Sequence, residues 1–143
     1  MSPFTAPSLR LTQAGAEAVI AACAAKATEI GFPVDIVVVD EGGNLVACLR
    51  MDGAFTLSMK TATTKAMTAA SHRRPTTEID AEMAPQLARA SGGLITGMAG
   101  GLPIFVDGHC IGAIGIGSAP DAEDIAIARA GLAAIGAEER ATP

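Results

Sequence analysis

Apolar residues recur at intervals of three and four from Leu11 to Ile30, a spacing that predicts an amphipathic helix. Thr12 is of the residue type that caps the start of a helix. Gly31, followed by Pro33, predicts its end, because glycine reaches the left-handed conformation easily and proline cannot continue the helix.

Two further helices are predicted from similar patterns. An alanine-rich face recurs over Phe55–Ala70, which suits close packing on a sheet or on a partner subunit, and a last helix is predicted from its cap Asp121 through Ile135. Between them, Thr77 and Asp80 resemble a capping box and predict a short helix at Ala81–Met83.

Two pairs of β-branched or apolar runs predict two hairpins. The first pair is Val34–Asp40 and Leu45–Met51, and the second flanks Asp107-Gly108, a two-residue loop that matches the twist of paired strands. The last run carries the glycines Gly112, Gly115 and Gly117. Glycines inside a strand predict close approach by another backbone or by a flat ligand.

The order of these elements is helix, hairpin, helix, short helix, hairpin, helix. Two hairpins with helices at their flanks predict an α+β domain, an antiparallel sheet covered by helices, and the whole chain, residues 1–143, is expected to form this single domain. We expect the two hairpins to lie edge to edge in one sheet.

Charge and composition narrow the class of partner. A net charge of −5 and the lack of a basic stripe argue against nucleic acid. The three cysteines show no metal-binding or disulfide spacing, and the chain has neither an export leader nor an apolar run long enough to span a membrane, so we expect a cytoplasmic protein. Its alanine-rich, apolar make-up predicts a homo-oligomer.

Several familiar sites are not supported. Gly115-Ile116-Gly117-Ser118 precedes a helix, but the acidic first turn of that helix would repel phosphate. His72 and His109 are far apart and form no metal-binding pattern, so no metal is expected. The alternative interpretation of His109, at the tip of the second hairpin, is a metal or heme ligand. No serine stands in a nucleophile setting.

The segment Arg50-Met51-Asp52-Gly53 is a stronger candidate for a binding site, because it combines a cation with a carboxylate. Arg50 alternates away from an apolar face, and the following helix carries Lys60. One interpretation is an Arg50–Asp52 surface pair with helix capping. The other is an anion clamp, in which Arg50 and Lys60 meet a carboxylate through charge-assisted hydrogen bonds.

Taken together, several segments resemble the GlcG/HbpS family, which is also similar to the C-terminal domain of PduO-type corrinoid adenosyltransferases. The resemblance covers roughly residues 11–135. The segments that carry it are Arg50–Ala54, Arg74–Thr76, Gly100–Ile104, Val106–Gly108 and Ile111–Pro120. It implies a profilin-like arrangement with a central antiparallel sheet of about five strands, oligomers, and, in some members, binding of heme or a related tetrapyrrole.

Two functions follow as hypotheses. The first is an oligomeric protein that binds heme or another flat, acidic small molecule, with a ligand-binding set of Arg50, Asp52, Lys60, Thr96, Gly100 and Gly101. The second is an enzyme acting on a small organic acid by proton transfer or hydration, with Asp52, or alternatively Asp40, as its catalytic base. Arg50 would anchor the carboxylate, and Thr96 or the Gly100-Gly101 amides would stabilise developing charge. A scaffold whose role is the oligomer itself is a third alternative.

Overall fold

The computed structural model describes residues 2–141, in which helices cover both faces of one antiparallel sheet. The predicted α+β class is confirmed. In chain order the elements are α1 (Gln13–Ile30), β1 (Asp35–Asp40), β2 (Leu45–Arg50), α2 (Ser58–His72), a 3-10 turn (Thr76–Glu78), α3 (Ala84–Ala90), β3 (Gly101–Val106), β4 (His109–Gly117) and α4 (Asp121–Ala134).

The strands are ordered β2-β1-β4-β3, and each neighbouring pair is antiparallel. The two hairpins therefore join through β1 and β4, as expected. The expectation of about five strands is wrong, since residues 2–141 form a sheet of four. In the stretch before β3, amides that a strand would use are bound to side-chain hydroxyls, the Ile95 N–H to Ser91 Oγ and the Thr96 N–H to Thr68 Oγ1.

The caps of α1 are those predicted. Thr12 Oγ1 accepts a hydrogen bond from the Gly15 N–H at 3.0 Å, and Gly31 ends the helix with a φ of 84°. The start of α4 differs from the prediction. Asp121 makes no capping bond, and it is Asp124 that accepts a hydrogen bond, from the Ala119 N–H at 3.2 Å.

The predicted capping box at Thr77 and Asp80 is wrong. The chain forms a 3-10 turn at Thr76–Glu78, and Asp80 Oδ1 accepts a hydrogen bond from the Glu82 N–H at 2.8 Å. The helix that follows starts only at Ala84, because the acidic side chain bonds an amide two residues on and closes a turn instead of capping a helix.

Each face of the sheet buries a different set of side chains. Helices α1 and α4 cover the larger core, which includes Ile36, Ile114 and Ile116. Helix α2 covers the other face, where its alanines meet Val37 and Val39. In the range 2–141, no helix has the length and apolarity needed to cross a membrane.

Helix α2 lies directly on β4 because the strand offers glycines there. A Cβ at Gly115 would collide with the Ala62 carbonyl oxygen, and one at Gly117 would lie 2.9 Å from the Ser58 oxygen. The close approach that these glycines predict is therefore made by the backbone of α2. They are buried and do not form an open floor for a flat ligand.

The two edges of the sheet are unlike. On β3, Pro103 has no N–H to donate, and Phe105 exchanges two backbone hydrogen bonds with Glu138. On β2, Leu45 is 62% exposed and Cys48 is exposed as well. The β3 edge is therefore protected, and the β2 edge is open.

We expect Gly115→Ala to lower the free energy of unfolding by about 3 kcal/mol or more, because the added methyl group must push α2 away from β4. Gly97→Ala is the matched control, since its Cβ would meet Ala84 Cβ at an ordinary 3.5 Å, and we expect it to change stability by less than about 0.5 kcal/mol. Chemical denaturation followed by circular dichroism measures both. Equal stabilities for the two variants would contradict this account of the α2–β4 contact.

Candidate functional site

The structure distributes the six predicted site residues over three places. Lys60 and Thr96 line one cavity, while Gly100 and Gly101 line a separate, narrow cleft of about 90 Å³. Arg50 and Asp52 lie together at the end of the open edge strand, outside both.

Lys60 and Thr96 share a cavity of about 280 Å³ beside α2. Its walls are largely apolar, with Ile95 and Met98 facing the helix, and Lys60 contributes a cation at the rim. An apolar cavity with a few polar groups is typical of small-molecule sites.

The wall opposite α2 is positioned by hydroxyl groups. Thr68, buried on α2, accepts a hydrogen bond from the Thr96 N–H at 3.0 Å. Thr96 Oγ1 accepts one from the Met98 N–H at 3.1 Å. The Thr96 hydroxyl therefore fixes the turn and still has a proton to donate.

A second cavity, of about 510 Å³, adjoins the first on the side of α3. The two share Ala88, Ile95, Thr96 and Met98, and we call the combined space the α2–α3 groove. The sequence predicts Lys60 and Thr96 as ligand-binding residues but does not point to Ile95 and Met98, which line the same groove. Their signal was weak, because they stand in an irregular, glycine-rich segment where apolar spacing has no period.

The lack of side chains at Gly100 and Gly101 leaves room for a buried ion pair. Lys65 on α2 reaches past them, and its Nζ lies 2.8 Å from the Ile116 oxygen and 3.1 Å from Asp124 Oδ2. A Cβ at Gly100 would lie 3.2 Å from that Nζ, and one at Gly101 would lie 2.5 Å from the Lys65 oxygen. Sequence reasoning missed this pair because neither residue stands in a motif.

Both partners of the pair are buried. Burial raises the pKa of Asp124 to about 6, even though Lys65 beside it and the Ala119 N–H favour the charged form. The pair joins helices on opposite faces of the sheet, α2 and α4, at the end where β3 begins. The pair therefore has a structural role, in which it fixes the position of α2 relative to α4.

Arg50 stands beside a buried acid, and this acid is not the predicted Asp52. Arg50 is opposite Asp35 in the β1–β2 register, and Asp35 is 0% exposed. Within residues 2–141, neither carboxylate oxygen of Asp35 has a hydrogen-bond partner. Burial raises the pKa of Asp35, and the nearby Arg50 charge offsets part of that rise.

Asp52 lies in an exposed turn, and it is not among the residues that line the cavities described here. Among residues 2–141, no three His, Cys, Asp or Glu side chains are grouped closely enough to hold a metal ion.

Comparison of the sequence with models of known protein families identifies the family of this chain. Residues 11–133 match the family model described as haem-degrading protein, HbpS-like. The chain belongs to this family. The GlcG/HbpS resemblance seen in the sequence is thereby confirmed.

Relatives match over most of their own length. Protein GlcG of Escherichia coli strain K12 is 39% identical over 108 residues, which is 74% of this chain and 80% of GlcG. The crystal structure of HbpS is 33% identical with a TM-score of 0.83, and the match covers 95% of this chain and 97% of that one. A crystal structure of a PduOC–heme complex is 26% identical with a TM-score of 0.86, covering 92% and 99%.

We expect Lys65→Met to destabilise the fold by about 3–5 kcal/mol, because it leaves the Asp124 carboxylate buried without its cation. Adding Asp124→Leu to Lys65→Met should recover much of that loss, since the buried charge is then removed. Denaturant unfolding of the two single variants and the double variant measures the coupling. A double variant whose loss equals the sum of the single losses would show that the pair is not coupled.

We expect Asp35→Asn to raise the free energy of unfolding at neutral pH. Because burial raises the pKa of Asp35, the folded state favours the protonated acid, and wild-type stability is lost as the pH rises through that pKa. The gain should therefore shrink below the ordinary aspartate pKa of about 3.9. Thermal unfolding across pH, with the exposed Asp52→Asn as control, measures it. A gain of the same size at every pH would contradict it.

Proposed function

We propose that this protein is a homo-oligomer that binds heme or a related tetrapyrrole in the α2–α3 groove. The observation that carries the proposal is the meeting of Lys60 and Thr96 in one largely apolar cavity. Family membership supports it, and so does the similarity to a protein whose crystal structure is a heme complex.

The side chains that line the groove support binding of a heme. An ammonium group such as that of Lys60 pairs with a carboxylate, and the porphyrin edge carries carboxylates. Ile95 and Met98 offer apolar surface to the ring, and a methionine sulfur is among the side-chain atoms that hold heme iron. The two joined cavities, about 280 and 510 Å³, are in the size range of ligand sites. Bound heme would supply an iron centre whose axial ligand and surroundings set its redox behaviour.

Oligomer formation is supported by apolar side chains that the single chain leaves uncovered. Phe55 is 69% exposed and Leu57 is 72% exposed, both just before α2, and Leu45 is exposed on the open edge strand. Large exposed apolar groups mark association surfaces when they form a patch. We also propose that the layered fold is profilin-like.

Heme titration followed by the Soret band tests the binding site. We expect the wild type to give a saturable shift, and Lys60→Gln to weaken binding about tenfold, since a charge-assisted hydrogen bond is lost. Lys26→Gln is the matched control, because Lys26 lies on α1, on the far face of the sheet, and pairs with Glu29.

Two outcomes would overturn the proposal. The first is the lack of a Soret shift at any concentration at which heme stays monomeric. The second is equal heme affinity for Lys60→Gln and Lys26→Gln, which would place the ligand outside the groove.

A further inference from the structure

Another cavity of about 510 Å³, separate from the α2–α3 groove, lies beside the C-terminal end of α2. It is bounded by the N-terminal segment 7–9, the end of α2 and the β3–β4 hairpin. Along α2, Lys60 of the groove and Ser71 of this cavity are roughly 16 Å apart, given about 1.5 Å of rise per residue. We call it the hairpin-end cavity.

Arg73 is held at this cavity in an unusual backbone conformation. It is the C-cap of α2 and has a φ of 54°, in the left-handed region that normally falls to glycine at this position. Keeping a large side chain there costs free energy, and such strain is concentrated at functional sites. Within residues 2–141 the Arg73 guanidinium forms no ion pair, so it lines the cavity as an available cation.

Cys110 shows that charge acts inside this cavity. Burial raises the pKa of its thiol, the Arg73 charge opposes that rise and the Glu41 charge adds to it. Both charges are therefore close enough to act on the thiol. Glu41 already accepts a hydrogen bond from Ser8 Oγ at 3.5 Å.

The cavity presents both polar and apolar groups, since the exposed Ser71 and His109 line it together with Leu9. Leu9 is 41% exposed and offers apolar surface to the cavity, whereas Phe105 and Ala70 line it with side chains that are nearly buried. With no metal-binding group of three in the described range, an organic molecule fits better than a metal ion. Arg73 favours a carboxylate, while Glu41 disfavours a second one.

We propose that the hairpin-end cavity binds an amphiphilic monocarboxylate. Its carboxylate is held by the Arg73 guanidinium, and its apolar chain lies against the exposed part of Leu9. This site is separate from the α2–α3 groove, so it does not depend on the proposed function.

Cys110 provides the readout of the test. Cys23 is buried, so in a Cys48→Ser background the accessible thiol is Cys110. The rate of its alkylation by N-ethylmaleimide is measured with and without octanoate, and octanol serves as the matched uncharged probe. The rates with and without probe are compared within each variant, because Arg73 itself affects the thiol pKa.

We expect octanoate to slow the alkylation of Cys110 several-fold and octanol to slow it much less. Arg73→Gly should abolish the protection, and it is a fair test of the side chain because glycine accepts the left-handed backbone without strain. Arg74→Gln, which changes a neighbouring arginine that does not line the cavity, should keep it. The Soret titration of Arg73→Gly should match that of the wild type.

Equal protection by octanol and octanoate would overturn the proposal, since the cavity would then be a non-specific apolar crevice. Protection that persists in Arg73→Gly would also overturn it. A loss of heme binding in Arg73→Gly would overturn the separation of the two sites.

Discussion

One buried ion pair connects the two faces of the sheet and constrains how its helices pack. Lys65 and Asp124 come from helices on opposite faces and meet near the start of β3, where the Ile116 carbonyl also accepts a hydrogen bond from Lys65 Nζ. A charge buried this deeply is costly unless its partner is in place. The positions of α2 and α4 are therefore set together, and Gly100 and Gly101 are constrained to leave the passage open.

The same packing determines where a ligand can be held. Both faces of the sheet are covered by helices, and α2 contacts β4 at backbone distance over Gly115. Space for a small molecule is therefore found outside the core, in the α2–α3 groove and at the hairpin end. In both places α2 provides one wall, and its outward-facing side chains, Lys60 and Ser71 among them, face the two cavities.

Local chemistry predicted most of the fold, because caps, periodicity and turn residues act over a few positions. Thr12 and Gly31 bound α1 as expected, and Asp107 and Gly108 both adopt the positive φ that a two-residue hairpin loop requires. The predicted number of strands was wrong because the fifth strand was expected from the family resemblance alone and not from any residue pattern.

The site was predicted less well, since it depends on contacts distant in the sequence. Lys60 and Thr96 are brought together by Thr68, which no local pattern reveals. Arg50 met an unexpected partner, because Asp35 becomes its neighbour only through the β1–β2 register.

The contrast between the two sheet edges limits how copies of this chain can associate. The β3 edge is closed by Pro103 and by the backbone exchange between Phe105 and Glu138, whereas β2 still presents a row of backbone groups to solvent. A sheet that can add a neighbour on one side only can be extended once, by a second copy using the same strand. Extension of the sheet then stops at a closed pair about a two-fold axis, because no second edge is left from which strand pairing could propagate.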